Sequence, residues 1–250
     1  GKEGFAMQAI VLAAGYATRL FPLTKDFPKA LLSVGGKPML DHLVEALGAI
    51  EGISAIHVVS NHRFAGHFKN WAEKHPVRGI VVHDDGTSDD ATKLGAIGDI
   101  DFVMKSAGID DDLLIVAGDN LLDVDMGAFV RRFYEIGRKT LILAQKIDDV
   151  ETLRRFGVAE TDESGRVIGF EEKPKEPKSQ LGVFALYLYP KEALRLLPEY
   201  FAGGNSPDAP GNLPAWLQKR AEVYAFVTDR PCYDIGTHES LRAVREIYGE

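Results

Sequence analysis

Short runs of β-branched and aliphatic residues alternate with longer amphipathic segments through the first half of the chain. Met7–Ala13 (MQAIVLA) is almost continuously apolar, as expected of a strand covered on both faces within a parallel sheet. Ile53–Ser60, Gly79–His83, Leu113–Ala117 and Thr140–Gln145 repeat that pattern, and Met39–Ile50, Ala65–His75, Leu94–Ala107 and Met126–Ile136 between them carry helical spacing. Strand, helix and strand at these distances predict right-handed βαβ units and a doubly wound, mostly parallel, Rossmann-like α/β sheet.

The second half changes character. Val158–Thr161 and Arg166–Phe170 flank Glu163-Ser164-Gly165 and read as a β-hairpin around a glycine turn. A lysine- and proline-rich loop follows, then a strand at Leu181–Tyr189 and a helix from Lys191 to Tyr200. Gly203 to Gly211 is rich in Gly, Asn, Pro and Asp and reads as loop. A helix (Leu213–Arg220), a strand (Glu222–Val227) and a helix (His238–Tyr248) complete the pattern. With no repeat, low-complexity tract or linker, residues 7–250 are expected to form one domain, the hairpin making a small lobe over the ligand edge of the sheet. Residues 1–6 lack an apolar core and read as a loose leader or an expression remnant rather than a signal peptide.

Composition narrows the range of partners. The 250 residues are 45% hydrophobic and 26% charged, ordinary for a globular protein, and no apolar run has the length of a membrane span. The formal net charge of −8, without a concentrated basic stretch, argues against nucleic acid as a partner. It leaves room for a small phosphorylated ligand, which needs only a few placed cations and a metal. A single cysteine, Cys232, excludes an internal disulfide and fits a reducing cytoplasm; beside Tyr233 it reads as a small packing residue. Seven scattered histidines form no zinc motif.

Candidate chemistry begins directly after the first strand. Leu12-Ala13-Ala14-Gly15-Tyr16-Ala17-Thr18-Arg19-Leu20 lies where an open α/β sheet receives a ligand's phosphates. Small residues there let backbone N–H groups approach phosphate oxygens, and Arg19 adds a fork of charged donors. A dinucleotide fingerprint would need G-x-G-x-x-G running into a helix. Here Ala17 and Leu20 replace the second and third glycines and Pro22 blocks the helix. Lys29, mounted stiffly behind Pro28, would complete a cationic clamp for a triphosphate with Arg19; taken alone it reads equally as a solvated lysine. Asp119 stands just past the apolar Leu113–Ala117 run, a position that a helix cap would also occupy.

The stretch resembles the signature of the sugar-phosphate nucleotidyltransferases, typified by glucose-1-phosphate thymidylyltransferase: G-x-G-T-R, then P-x-T, then P-K. It reads Gly15-Tyr16-Ala17-Thr18-Arg19, Pro22-Leu23-Thr24 and Pro28-Lys29, departing from the pattern at Ala17, where the family usually has glycine. Cys232-Tyr233-Asp234-Ile235-Gly236-Thr237 resembles the family's W-x-D-x-G-T segment, with Tyr233 for tryptophan. Glu172-Lys173-Pro174 matches its E-K-P element, and Phe156-Gly157-Val158 its Y-G-V segment. The matches run from Gly15 to Thr237.

The resemblance implies a role for each position. Arg19 and Lys29 are the catalytic cations. Leu12, Ala14, Gly15, Tyr16, Ala17 and Thr18 bind the nucleotide, together with a base-recognition loop containing Asp85, Gly86 and Thr87. Gly157, Glu172 and Lys173 bind the acceptor, and Asp119 and Asp234 hold Mg²⁺, which keeps waters and takes phosphate oxygens as further ligands. On local sequence alone, Asp84, Asp85, Asp89 and Asp90 read as a solvated acidic loop, and Glu171–Pro174 as a charged turn.

The implied reaction is attack by the acceptor's phosphate oxygen on the α-phosphorus of an NTP, with release of pyrophosphate. A phosphate monoester is already an anionic nucleophile, which agrees with the absence of a Ser/His/Asp or Cys/His constellation. Catalysis then rests on positioning and charge neutralisation. A sugar 1-phosphate is the first acceptor to consider. Phosphocholine, a phosphonate or inositol phosphate with CTP is the alternative, and a non-catalytic nucleotide sensor is a third reading, disfavoured by keeping Arg19, Lys29, Asp119 and Asp234 together. The base stays open, and a homodimer is compatible with these features.

Overall fold

A computed structural model describes residues 6–250, so the leader reading falls outside the described residues apart from Ala6. In chain order the strands are β1 (Met7–Leu12), β2 (Ser33–Val34), β3 (Lys37–Pro38), β4 (Ile53–Ser60), β5 (Ile80–Asp84), β6 (Asp112–Ala117) and β7 (Asn120–Leu122). They continue with β8 (Thr140–Lys146), β9 (Gly157–Thr161), β10 (Val167–Glu172), β11 (Leu181–Tyr189), β12 (Val223–Thr228) and β13 (Cys232–Asp234).

β1 sits between β4 and β6, parallel to both, and β5 pairs in parallel with the far side of β4. Successive residues of β1 point to opposite layers, as strand geometry requires. Ala9 and Val11 join a core with Leu40, Leu43, Val44, Phe68, Phe129 and Phe133, from helices on one face. Ile10 joins Ile97, Ile100, Val103, Tyr200 and Leu217 on the other. Both faces are thus capped by helices, which is why the strand reads as a continuous apolar run.

Beyond β6 the sheet becomes antiparallel. β11 pairs with β6 on one side and with β8 and β9 on the other, and β12 joins β8 in parallel. The expected hairpin is β9–β10, closed by Asp162, whose Oδ1 accepts from the backbone N–H groups of Ser164 and Arg166. It is continuous with the main sheet through β11. The helix expected over Lys191–Tyr200 is two, Lys191–Leu194 and Leu197–Ala202, with Pro198 in the first turn of the second. Proline lacks the N–H that a through-running helix needs and suits a helix start. None of the helices is long and apolar enough to cross a membrane, among the described residues.

One small ladder matters out of proportion to its size. β13 pairs antiparallel with β7, setting Asp234 opposite Asn120, and Ile235 N–H donates to the Asp119 carbonyl at 3.0 Å. Asp119 therefore lies in the turn between β6 and β7 and caps no helix.

Candidate active site at the strand carboxyl ends

β1 and β6 end in register, Leu12 opposite Ala117, and Gly118 N–H closes the gap by donating to the Leu12 carbonyl at 2.8 Å. Beyond these ends opens a cavity of about 710 Å³. Gly15, Ala17, Arg19 and Lys29 line it together with Asp119, Asn120 and Asp234 and with Gly157, Glu172 and Lys173. Segments spread over more than 200 residues of sequence thus meet in one space, the arrangement expected at a topological switch point.

The turn after β1 is held by its own backbone. Ala17 adopts the left-handed conformation (φ 50°, ψ 49°), and its carbonyl accepts from Leu20 N–H at 3.0 Å and Thr24 Oγ1 at 2.8 Å. This conformation favours glycine, which accounts for the expected residue at this place. The turn of 3₁₀ helix Thr18–Leu20 that follows carries Arg19. Arg19 packs against Gly236: a Cβ at 236 would lie 2.8 Å from Arg19 Nη2. Pro28 is extended and hands the chain to a second 3₁₀ turn beginning at Lys29, whose Nζ meets Asp119 Oδ2 at 2.7 Å.

The two aspartates share a neighbour. Asn120 Nδ2 donates to Asp119 Oδ1 at 2.8 Å and to Asp234 Oδ1 at 3.2 Å. Asp234 is exposed where it opens onto the cavity. Desolvation and then the Asp119 charge raise its pKa, with Lys29, Arg19 and the Asn120 hydrogen bond opposing them. Two carboxylates held together, with one of them paired to Lys29, leave negative charge directed into the cavity. That donor set fits a hard divalent cation with oxygen ligands.

Glu172, also in the lining, is wedged between two glycines. A Cβ at Gly157 would lie 3.0 Å from Glu172 Oε2, and one at Gly211 only 2.6 Å from it. Burial raises the Glu172 pKa, partly offset by the Lys173 ammonium. Lys173 also has positive φ (46°), with its N–H donating to the Phe156 carbonyl at 3.1 Å, so the E-K-P turn is tied to the segment matched by Y-G-V.

The remaining expected positions divide. Leu12 lines the cavity; Ala14 does not, and its carbonyl accepts from Asn61 Nδ2 at 2.9 Å. Thr18 is exposed outside the lining, while Tyr16 is buried beside Thr87 with no hydrogen-bond partner of good geometry for its hydroxyl. Asp85, Gly86 and Thr87 do not line the cavity; they adjoin it through Tyr16, the residue after the cavity-lining Gly15. The reading of Asp84–Asp90 as a solvated loop is corrected in part: Asp89 and Asp90 are exposed, whereas Asp85 and Thr87 are buried. Asp85 turns inward because its Oδ1 accepts both Thr87 N–H (2.9 Å) and Thr87 Oγ1 (2.7 Å). Cys232 packs against the core, and burial pushes its thiol up to about 11, consistent with the packing role.

Several residues of the cavity belong to none of the matched motifs. Asn120 was visible only as the neighbour of Asp119, with nothing local to indicate its reach to Asp234. Arg154 and Arg155, two consecutive cations directly before Phe156-Gly157, also line it, and that adjacency was an available signal.

The architecture is that of a doubly wound α/β protein with its cavity at the strand carboxyl ends. Residues 8–250 match the nucleotidyl transferase family, and the chain belongs to that family. It is 32% identical over 186 residues to a UTP–glucose-1-phosphate uridylyltransferase of Haloferax volcanii, covering 73% of this chain and 72% of that one. A glucose-1-phosphate thymidylyltransferase of Streptomyces antibioticus is 33% identical over 221 residues, covering 79% and 54% respectively. The chain spans about half the length of several curated relatives it matches. A crystal structure described as a glucose-1-phosphate thymidylyltransferase of Bacillus anthracis in complex with sucrose superposes with a TM-score of 0.82 at 27% identity, covering 97% of this chain and 95% of that one. UTP-bound UGPase of Acinetobacter baumannii shares the fold at a TM-score of 0.79 and 19% identity, covering 98% and 94%.

Proposed function

We propose that the chain transfers a nucleoside monophosphate from an NTP to a sugar 1-phosphate, releasing pyrophosphate. The observation that carries this reading is that Arg19, Lys29, Asp119 and Asp234 line one cavity together with Gly157, Glu172 and Lys173. Several curated relatives differ in nucleotide but share a sugar 1-phosphate in their names, which supports that acceptor.

In this reading an acceptor phosphate oxygen bonds to the α-phosphorus while the bond to the β-phosphate bridging oxygen breaks, and pyrophosphate leaves with that oxygen. The turn Gly15–Arg19 receives the triphosphate, with Leu12 and Ala14 beneath it and the Asp85–Thr87 loop toward the base. Arg19, steadied against Gly236, neutralises phosphate charge. Lys29 reaches the same phosphates while its bond to Asp119 orients that carboxylate. Asp119 and Asp234 would hold Mg²⁺, which supplies charge neutralisation on the transferring and leaving phosphates. Glu172 accepts from ring hydroxyls and Lys173 reaches the acceptor phosphate. No side chain has to remove a proton, because the nucleophile is already an anion. We infer a cytoplasmic setting from the lone, packed cysteine; a homodimer is compatible with a cavity lined by residues of one chain.

The test is pyrophosphate release from a panel of five NTPs against glucose 1-phosphate, mannose 1-phosphate, phosphocholine and inositol phosphate, with Mg²⁺. Release that needs a sugar 1-phosphate supports the reading; release only with phosphocholine or inositol phosphate replaces the acceptor, and none with any pair removes the activity.

A further inference from the structure

Next to the turn after β1 lies a pair of buried carboxyl groups, Asp85 of the loop directed toward the base and Asp99, to which the proposed chemistry gives no role. Asp85 is 9% exposed, and Asp99, on the inner face of the helix Gly95–Ala107, is 5% exposed. Each retains a buried oxygen, Asp85 Oδ2 and Asp99 Oδ1, with no donor opposite it. Their side chains lie within hydrogen-bonding reach of each other. Two buried carboxylates in contact do not both ionise; a single proton between them removes the repulsion and gives the orphaned acceptors a partner.

The pair has a defined place in the fold. Ala96, one helical turn before Asp99, lines the cavity. That first turn is pinned by Ala96 N–H donating to the Asp208 carbonyl (3.1 Å) and Ile97 N–H to that of Pro207 (2.8 Å). On the other side, Asp85 N–H donates to the Ser60 carbonyl at 2.9 Å, and His62 N–H to the Thr87 carbonyl at 2.8 Å, fixing the loop to the end of β4. Asp85 Oδ1 takes both Thr87 donors. The loop is thus clamped between the Gly95–Ala107 helix and Tyr16, which follows the cavity-lining Gly15.

We propose that Asp99 is a positioning residue for the nucleotide: its carboxyl, protonated at neutral pH, donates to Asp85 and so holds Asp85–Thr87 in the conformation that meets the base. The identity of the ligand rests on the nucleotidyltransferase reading; the shared proton does not. Burial and the neighbouring Asp85 carboxylate raise Asp99 to about 9, in keeping with a neutral acid at this place.

The test compares Asp99→Ala and Asp99→Asn with the unmodified chain, using the best NTP of the five and its acceptor. Asn retains a donor to Asp85, whereas Ala leaves Asp85 buried with an unsatisfied oxygen. The expected result is an NTP KM raised about tenfold in the Ala variant, with kcat and acceptor KM within about twofold, and near-complete recovery in the Asn variant. Equal NTP KM values in all three proteins, or an Asn variant as impaired as the Ala variant, overturn the proposal. Infrared difference spectra near neutral pH provide the second arm, which decides if the Ala variant does not fold or if no NTP is turned over. A protonated-carboxyl C=O stretch present in the unmodified chain and missing from Asp99→Asn supports the shared proton; its absence from the unmodified chain overturns it. Failure of turnover in the unmodified chain, with that stretch present, would count against the activity and leave the carboxyl pair standing.

Discussion

Asn120 ties Asp234 to Asp119: one carboxamide nitrogen lies 2.8 Å from the first residue's neighbour and 3.2 Å from a carboxylate 114 positions away in the chain. Asn120 is itself 3% exposed. Its amide is the only bridge between the two carboxylates among the described residues' hydrogen bonds, and it opposes their repulsion. Groups that orient metal ligands are typically worth about 10–100-fold in metal affinity. Asn120→Ala should therefore raise the Mg²⁺ concentration for half-maximal activity about tenfold, with excess Mg²⁺ restoring most of kcat. A Mg²⁺ titration of initial rates checks this; an unchanged midpoint would mean that the carboxylates need no bridge.

Lys173 also lines the cavity, its backbone tied to Phe156. Lys173→Ala removes a charged donor without touching the turn after β1. The acceptor KM should rise about tenfold or more, and the NTP KM by less than about threefold. Two substrate-saturation series decide it, and the reverse order would put the acceptor elsewhere.

Ala17 carries a left-handed backbone that costs a non-glycine residue about 1–2 kcal/mol. Glycine would relieve this but lose about 0.5–1 kcal/mol to unfolded-chain entropy. Ala17→Gly is expected to stabilise the chain slightly, raising Tm by about 1–3 °C at this size. Calorimetry measures it. A lower Tm would mean that the methyl's packing against the Leu20–Ile235 cluster outweighs the strain.

Much of this was written in the sequence, and the exceptions share a cause. Met7–Leu12 announces a doubly covered strand because both faces are apolar, and the positions of Arg19, Lys29, Asp119 and Asp234 follow from local motifs. β11 is equally plain as a strand, yet nothing within Leu181–Tyr189 specifies that it runs antiparallel between β6 and the β8–β9 pair. Asn120 gains its meaning only when β13 pairs with β7. Asp85 sits among acidic neighbours that do face water, and its burial is set by Thr87 and by Asp99 from a helix that begins ten residues later. Local sequence reports hydrophobic period and motif; contacts between distant segments decide which polar residues turn inward.

Asp99 also makes a prediction about stability. An acid whose folded pKa is raised stays protonated while its unfolded counterpart ionises, so the unfolded state binds fewer protons between about pH 4 and the folded value of about 9. Stability through this group is therefore full below about pH 4 and declines as pH rises toward 9. Asp99→Asn removes that decline. Near pH 8 the variant should be more stable by at least about 1 kcal/mol, roughly 2–4 °C in Tm, with the gain shrinking toward zero near pH 4. Thermal melts of both proteins across that range provide the comparison; a constant difference with pH would show that Asp99 does not carry the proton.

The most direct measurement follows the oxygen atoms. Sugar 1-phosphate labelled with ¹⁸O in its phosphate group is incubated with the preferred NTP and Mg²⁺, and both products are weighed by mass spectrometry. Direct attack on the α-phosphorus predicts a nucleoside diphosphate sugar that keeps every labelled oxygen, alongside unlabelled pyrophosphate. Label in the pyrophosphate, or no nucleotide sugar with any of the five NTPs, would contradict it.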